Sequence, residues 1–194
     1  MLEVQRRNPR LFFIHSSAIA WQGRASLFVG ESGRGKSTLC WAMLHHGFEY
    51  LSDELAPIAL DGLEVLPYPH ALCLKRLPPS YPLPASAMQL YRTLHVPVEA
   101  LPVPVVSQPC PLDAIFLLRY DSGATEPLLR RLTAGEAAAR LFVNALNALA
   151  HSNGGLDAVL HIASQTRCYA LTTAGLPETC ELVGPVVKGV PVSP

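Results

Sequence analysis

The stretch "ASLFVGESGRGKSTLCWAMLHHG" constrains the fold more than any other part of the chain. Its first five residues are nearly all apolar, as a strand buried on both faces of a sheet requires. A loop with glycines at Gly30, Gly33 and Gly35 follows, then an apolar run that reads as a helix stopped at Gly47. Leu39, Ala42, Met43 and Leu44 are expected on the buried face of that helix. The loop fits the pattern G-x-x-x-x-G-K-[ST] as Gly30-Glu31-Ser32-Gly33-Arg34-Gly35-Lys36-Ser37, with Thr38 next. Glycines let the backbone turn tightly, so that successive N–H groups face an anion. The following helix begins with unpaired N–H groups and the positive end of its dipole. Lys36 adds a point charge for the outer phosphates, and the Ser37 hydroxyl is placed to ligate Mg2+. Residues 30–38 are therefore assigned to phosphate binding.

On either side lie the other chemistry-bearing residues. "RLFFIHSSAIAW" reads as a strand that Gln22-Gly23 turns back into the loop strand as a hairpin. His15 ends its apolar run, and by residue type alone such a histidine is structural. "FEYLSDELAPIAL" reads as a strand interrupted by Asp53 and Glu54. This strand is expected beside the loop strand in a parallel sheet, with its C-terminal end open to the phosphate site. One carboxylate would bind Mg2+ and the other would accept a proton from the attacking hydroxyl. Asp121, after "AIFLLRY", is a second metal candidate, though "YDSG" reads as a turn. Lys75, Arg76, Arg130 and Arg131 could meet phosphate or an acidic peptide, but each by itself reads as solvated surface charge.

Elsewhere, Asp61-Gly62 turns the chain into "LEVLPY", and residues 67–111 are dense in proline. That segment is either a functional loop or an irregular insertion with a short helix near 85–93. "LDAIFLLRYD" and "RCYALT" read as strands. "TAGEAAARLFVNALNAL" reads as a helix opened by a Thr133/Glu136 capping box, and "GGLDAVLHIASQT" as another. The 15 basic and 15 acidic residues balance, so no nucleic-acid or membrane partner is expected. No apolar run reaches the roughly 18 residues of a membrane span. The opening "MLEVQRRNPR" has no apolar core, so no secretory signal is expected. Five scattered cysteines fit reduced thiols and a cytoplasmic location. The expectation is a single α/β domain over residues 1–184 and a flexible tail over 185–194.

Taken together, His15, "GESGRGKST" fifteen positions later and "HGFEYLSDE" resemble the catalytic domain of HPr kinase/phosphorylase. "LTAGEAAARLF" and "CYALT" are more loosely similar to short relatives of that family. The resemblance implies a PEP-carboxykinase-like P-loop fold, a mixed β-sheet flanked by helices. It also implies ATP or a related nucleoside triphosphate, Mg2+, and transfer to a serine hydroxyl. Lys36 would hold phosphate, Ser37 the metal, the Asp53/Glu54 pair would supply metal contact and base, and His15 would lie in the active site. The chain carries Glu54 where the family has Asp, and the expectation is a short form without the family's N-terminal regulatory domain or the glycine-rich segment after the acids. Some short relatives resemble kinases acting on ribosomally made precursor peptides, so a peptide or protein serine is the expected partner. Alternatives are a small-molecule P-loop kinase or phosphohydrolase, and a non-catalytic nucleotide-binding switch. A homo-oligomer is compatible with each.

Overall fold

In the computed structural model, which describes residues 8–121 and 123–190, two strand breaks organise the fold. The run expected as one strand is two, β1 (Leu11–Ile14) and β2 (Ser16–Trp21), parted at His15. Gln22 and Gly23 have φ of 49° and 74°, the both-positive pair of a type I′ turn, and lead into β3 (Arg24–Val29) as the expected hairpin. After the glycine loop and α1 (Lys36–His45), the run through the two acids is likewise β4 (Glu49–Ser52) and β5 (Ala56–Ala59). β1 pairs antiparallel with β5, and β2 with β4. The two breaks therefore face each other, where one strand pair ends and the next begins.

β6 (Glu64–Val65) follows β5 across the Asp61-Gly62 turn. Residues 67–109 then form a three-stranded sheet of β7 (Leu72–Leu74), β8 (Met88–Leu90) and β9 (Thr93–Val96), ordered β7-β9-β8. The short helix expected near 85–93 is absent. β8 and β9 pair across a turn at Tyr91, φ 53°, and β9 also pairs with β7, so backbone groups find partners across strands rather than along a helix.

The chain returns in β10 (Cys110–Tyr120), which pairs with β6 at its start and runs parallel to β3 thereafter. β11 (Leu128–Arg131), α2 (Ala134–Phe142), α3 (Leu156–Gln165), β12 (Arg167–Thr173) and α4 (Leu176–Val187) complete the described fold. β12 runs parallel to β10 and antiparallel to β11. The result is the expected α/β architecture, a mixed sheet flanked by helices.

Side chains alternate across the central strands with the period of two that a pleated strand imposes. Leu27, Val29, Ile115 and Leu117 cluster with Leu141 and Ile162 of α2 and α3. Phe28 and Phe116 cluster with Met43 and Val183 of α1 and α4. α1 is buried more completely than one apolar face requires, since Cys40 and Trp41 join Leu39, Ala42, Met43 and Leu44 in the core. Its outer side is covered by α4 and by the insertion, where Trp41 Nε1 donates to the Tyr81 carbonyl at 3.2 Å.

α2 ends at Phe142, short of the expected length. The next residues are bonded to the strand break instead. Asn144 O accepts from His15 N, Leu146 N donates to Phe13 O, and the Asn147 amide bridges Phe13 N and Leu11 O. α4 takes in residues 185–187 of the expected tail, with Val186 and Val187 buried. Residues 191–194 of that tail lie outside the described residues. Among the described residues no helix is long and apolar enough to cross a membrane.

The capping box of α2 is present in both directions, Glu136 N to Thr133 Oγ1 and Thr133 N to Glu136 Oε2. Thr133→Ala is expected to lower stability by about 1 kcal/mol in urea unfolding, with the unfolding slope unchanged.

Candidate functional site

The loop between β3 and α1 has the geometry its glycines predict. Gly33 and Gly35 sit at φ 86° and 92°, where a side chain would be strained. Gly35 leads into α1 with no side-chain cap, so no side chain claims the first N–H groups of the helix. These amides and the helix dipole form an anion site. Glu31, Ser32, Gly33 and Arg34 form its exposed rim, while Ser37 and Thr38 are half-buried on the first turn of α1.

Lys36 is 6% exposed and folds back under the loop. Its Nζ donates to Gly30 O at 2.8 Å, to Glu31 O at 3.2 Å and to His15 Nε2 at 2.9 Å. An ammonium has three N–H groups, so all are engaged. Burial pushes the lysine below its ordinary pKa, against the opposing pull of Asp53 and Glu54.

His15 stands at the break between β1 and β2. Its Nδ1 lies 3.0 Å from Glu54 O, and a carbonyl can only accept. Nδ1 therefore carries the proton, and Nε2 accepts from Lys36. The ring is neutral in this arrangement. Burial, and then the Lys36 charge, lower its pKa in agreement.

Asp53 follows β4 and is fully buried. Its Oδ1 accepts from Ser17 Oγ of β2 and, at 2.9 Å, from Ser37 Oγ of α1. Oδ2 accepts from Cys73 N of β7 at 3.0 Å. Glu54 is exposed, and its carboxylate makes no hydrogen bond or ion pair among the described residues. Its backbone sits at φ 66°, unfavourable for a glutamate, and that turn aims the Glu54 carbonyl at His15.

The strand before the acids is not the neighbour of β3 that a parallel sheet would make it. β2 lies between them and is antiparallel to both. β3 and β4 therefore run the same way, and both C-terminal ends still reach the site.

The structure thus brings His15, Lys36, Ser37, Asp53 and Glu54 together. Of the cations considered, Lys75 reaches the loop, donating to Ser32 Oγ at 2.7 Å. Arg130 pairs with Glu136 at 3.0 Å, and Arg131 lies over the Tyr169 ring at 5.0 Å. Asp121 closes a turn, accepting from Gly123 N at 3.0 Å. Three participants escaped the sequence reading: Ser17, the Cys73 amide and the Asn144 carbonyl. Ser17 was the most accessible of these, since a serine inside an apolar strand needs a partner when buried.

For a metal, no group of three or more His, Cys, Asp or Glu side chains gathers among the described residues. Ser37 Oγ and the Asp53 carboxylate offer hard oxygens beside the phosphate loop. That donor set fits Mg2+, which takes few protein ligands and shares the rest with water and phosphate.

No family model matches the chain, and no curated protein matches it in sequence. Among solved structures, the chain is similar to the HPr(Ser) kinase/phosphatase from Coxiella burnetii at 12% identity, with a TM-score of 0.42, over 91% of this chain and 97% of that one. The functional reading accordingly rests on the site itself.

The His15 geometry has a consequence for pH. With its pKa held below the ordinary value of about 6.5, the folded chain resists a proton that the unfolded chain accepts. Stability is then full above about pH 7 and falls as pH drops through 6.5, levelling off below the folded-state value. Urea midpoints between pH 8 and pH 5 should decline more steeply for the wild type than for His15→Gln. Parallel declines would contradict a neutral imidazole held in this half-buried position.

Proposed function

We propose that the chain is an ATP- and Mg2+-dependent kinase that phosphorylates a serine of a peptide or protein. One observation carries this reading: two adjacent carboxylates are divided by environment. Asp53 is buried with both oxygens engaged, one of them on the loop hydroxyl Ser37. Glu54 is exposed beside it with its carboxylate unpaired. A phosphoryl-transfer site needs one acid to hold the metal side and one to take a proton.

In this reading the loop amides and Lys36 bind the phosphates of ATP, Lys36 exchanging at least one of its present partners for a phosphate oxygen. Ser37 and Asp53 would hold Mg2+, giving up the hydrogen bond they make to each other, and the ion would supply charge neutralisation on the phosphates. Glu54 accepts the proton of the serine hydroxyl as its oxygen bonds to the γ-phosphorus and the bond to the bridging oxygen of ADP breaks. His15, fixed by the Glu54 and Asn144 carbonyls, positions Lys36. The insertion belongs to the site through the Cys73 amide and Lys75, so it is more than a surface loop.

The test is transfer of labelled phosphate from ATP to a panel of serine peptides. Glu54→Gln should lower the transfer rate by about 10²–10⁴-fold while nucleotide still binds. Lys36→Ala and Asp53→Asn should weaken Mg-nucleotide binding itself. ATP hydrolysis with no transfer to any peptide would sink the peptide-kinase reading. Nucleotide binding without turnover, indifferent to all three substitutions, would favour a switch module.

A further inference from the structure

A cleft of about 240 Å3 opens against the loop between β3 and α1, with an apolar wall of Val29, Leu117, Leu118 and Val143 and three arginines around it. Arg34 comes from the loop, Arg119 from the end of β10 and Arg140 from the last turn of α2, against a single lining carboxylate, Glu31. These guanidinium groups are unequally committed. Arg34 is tied to Glu31 through Nε at 3.2 Å and a terminal nitrogen at 2.8 Å. Arg119 has its nearest carboxylate, Asp121, at 3.9 Å and a side chain 76% exposed. Arg140 is exposed and has no carboxylate partner among the described residues. Two guanidinium groups from different elements thus share one concavity with donors to spare.

The cleft also shares a wall with the chemistry. Gly30 lines it and accepts from Lys36, and Asn144 lines it and holds the His15 amide. An anion in the cleft is therefore next to the transfer site. It is not the donor's polyphosphate, for which the loop amides and Lys36 already provide. A neutral nucleobase could use the apolar wall but would leave Arg119 and Arg140 without an anionic partner. What is left is a charge on the acceptor.

We propose that the acceptor carries a carboxylate or phosphate close to its hydroxyl, and that Arg119 and Arg140 recognise it. Guanidinium groups suit this because each presents two parallel N–H donors to an oxyanion. The proposal deepens the kinase reading and rests on it for the identity of the occupant as acceptor. It narrows the substrate class to acidic or already phosphorylated serine peptides.

Binding measures it without requiring catalysis. Three labelled peptides differ only around one serine: flanked by aspartates, by phosphoserines or by asparagines. Their affinities are read by fluorescence polarisation with Mg-ADP present. At least one anionic peptide should bind about tenfold or more tightly than the asparagine peptide, and its identity tells carboxylate from phosphate recognition. The preference should vanish in the Arg119→Gln/Arg140→Gln double variant and persist in Arg92→Gln, on the β8–β9 turn. Arg119→Lys/Arg140→Lys should keep part of it, which separates lost recognition from lost folding. Equal affinities for all three peptides, or a preference that survives the double glutamine variant, would overturn the proposal. Phosphate transfer that ignores flanking charge would leave the kinase standing and remove the cleft's role. Arginine-dependent peptide binding without any transfer would do the reverse.

Discussion

A carboxylate removed from water is tolerable only when its oxygens are hydrogen-bonded, and Asp53 is removed from water completely. Its three partners come from β2, α1 and β7, segments far apart in sequence. Satisfying this one group therefore fixes the loop helix against the hairpin and fixes the insertion against both. Loss of any one partner leaves a buried acceptor short of a donor, a costly state. The local order of the loop is in this sense inherited from the order of the whole sheet.

The opposed strand breaks explain why the chemistry collects where it does. Within a strand, backbone polar groups are consumed by the ladder and side chains are confined to two faces. Where β1 gives way to β2, and β4 to β5, the ladder lapses. Carbonyls and side chains become available to each other there. The Glu54 carbonyl turns to His15, the Asn144 carbonyl takes the His15 amide, and Asp53 reaches across to α1. Sheet pairing on both sides keeps the gap at fixed dimensions.

Much of this was legible in the sequence, and the reason differs from element to element. The glycine loop, the Gln22-Gly23 hairpin and the Thr133/Glu136 cap are local patterns whose causes lie within a few residues. The strands β3 and β10 announced themselves through mostly apolar runs, "LFV" and "AIFLL". The intervening position of β2 was not legible, because strand order is set by long-range pairing. The β7-β9-β8 sheet was hidden by prolines that mask short strands, and the early end of α2 by bonds to a strand over a hundred residues away. Within the site, Lys36, Ser37, Asp53 and Glu54 followed from residue type and spacing. Ser17 was missed because its partner is tertiary. The Cys73 amide and the Asn144 carbonyl carry no side-chain signal at all.

The engagement of all three Lys36 donors bears on selectivity. A lysine with idle donors attracts any passing anion, chloride and free phosphate included. Here an incoming ligand has to out-compete two carbonyls and an imidazole already in place. A lone small anion offers little beyond what it displaces. A polyphosphate would meet the loop amides at several points at once, and so could draw the ammonium away from these partners. On the kinase reading, the loop would discriminate by valency before any contact with a nucleobase, and the Lys36 charge is sheltered by its protein partners.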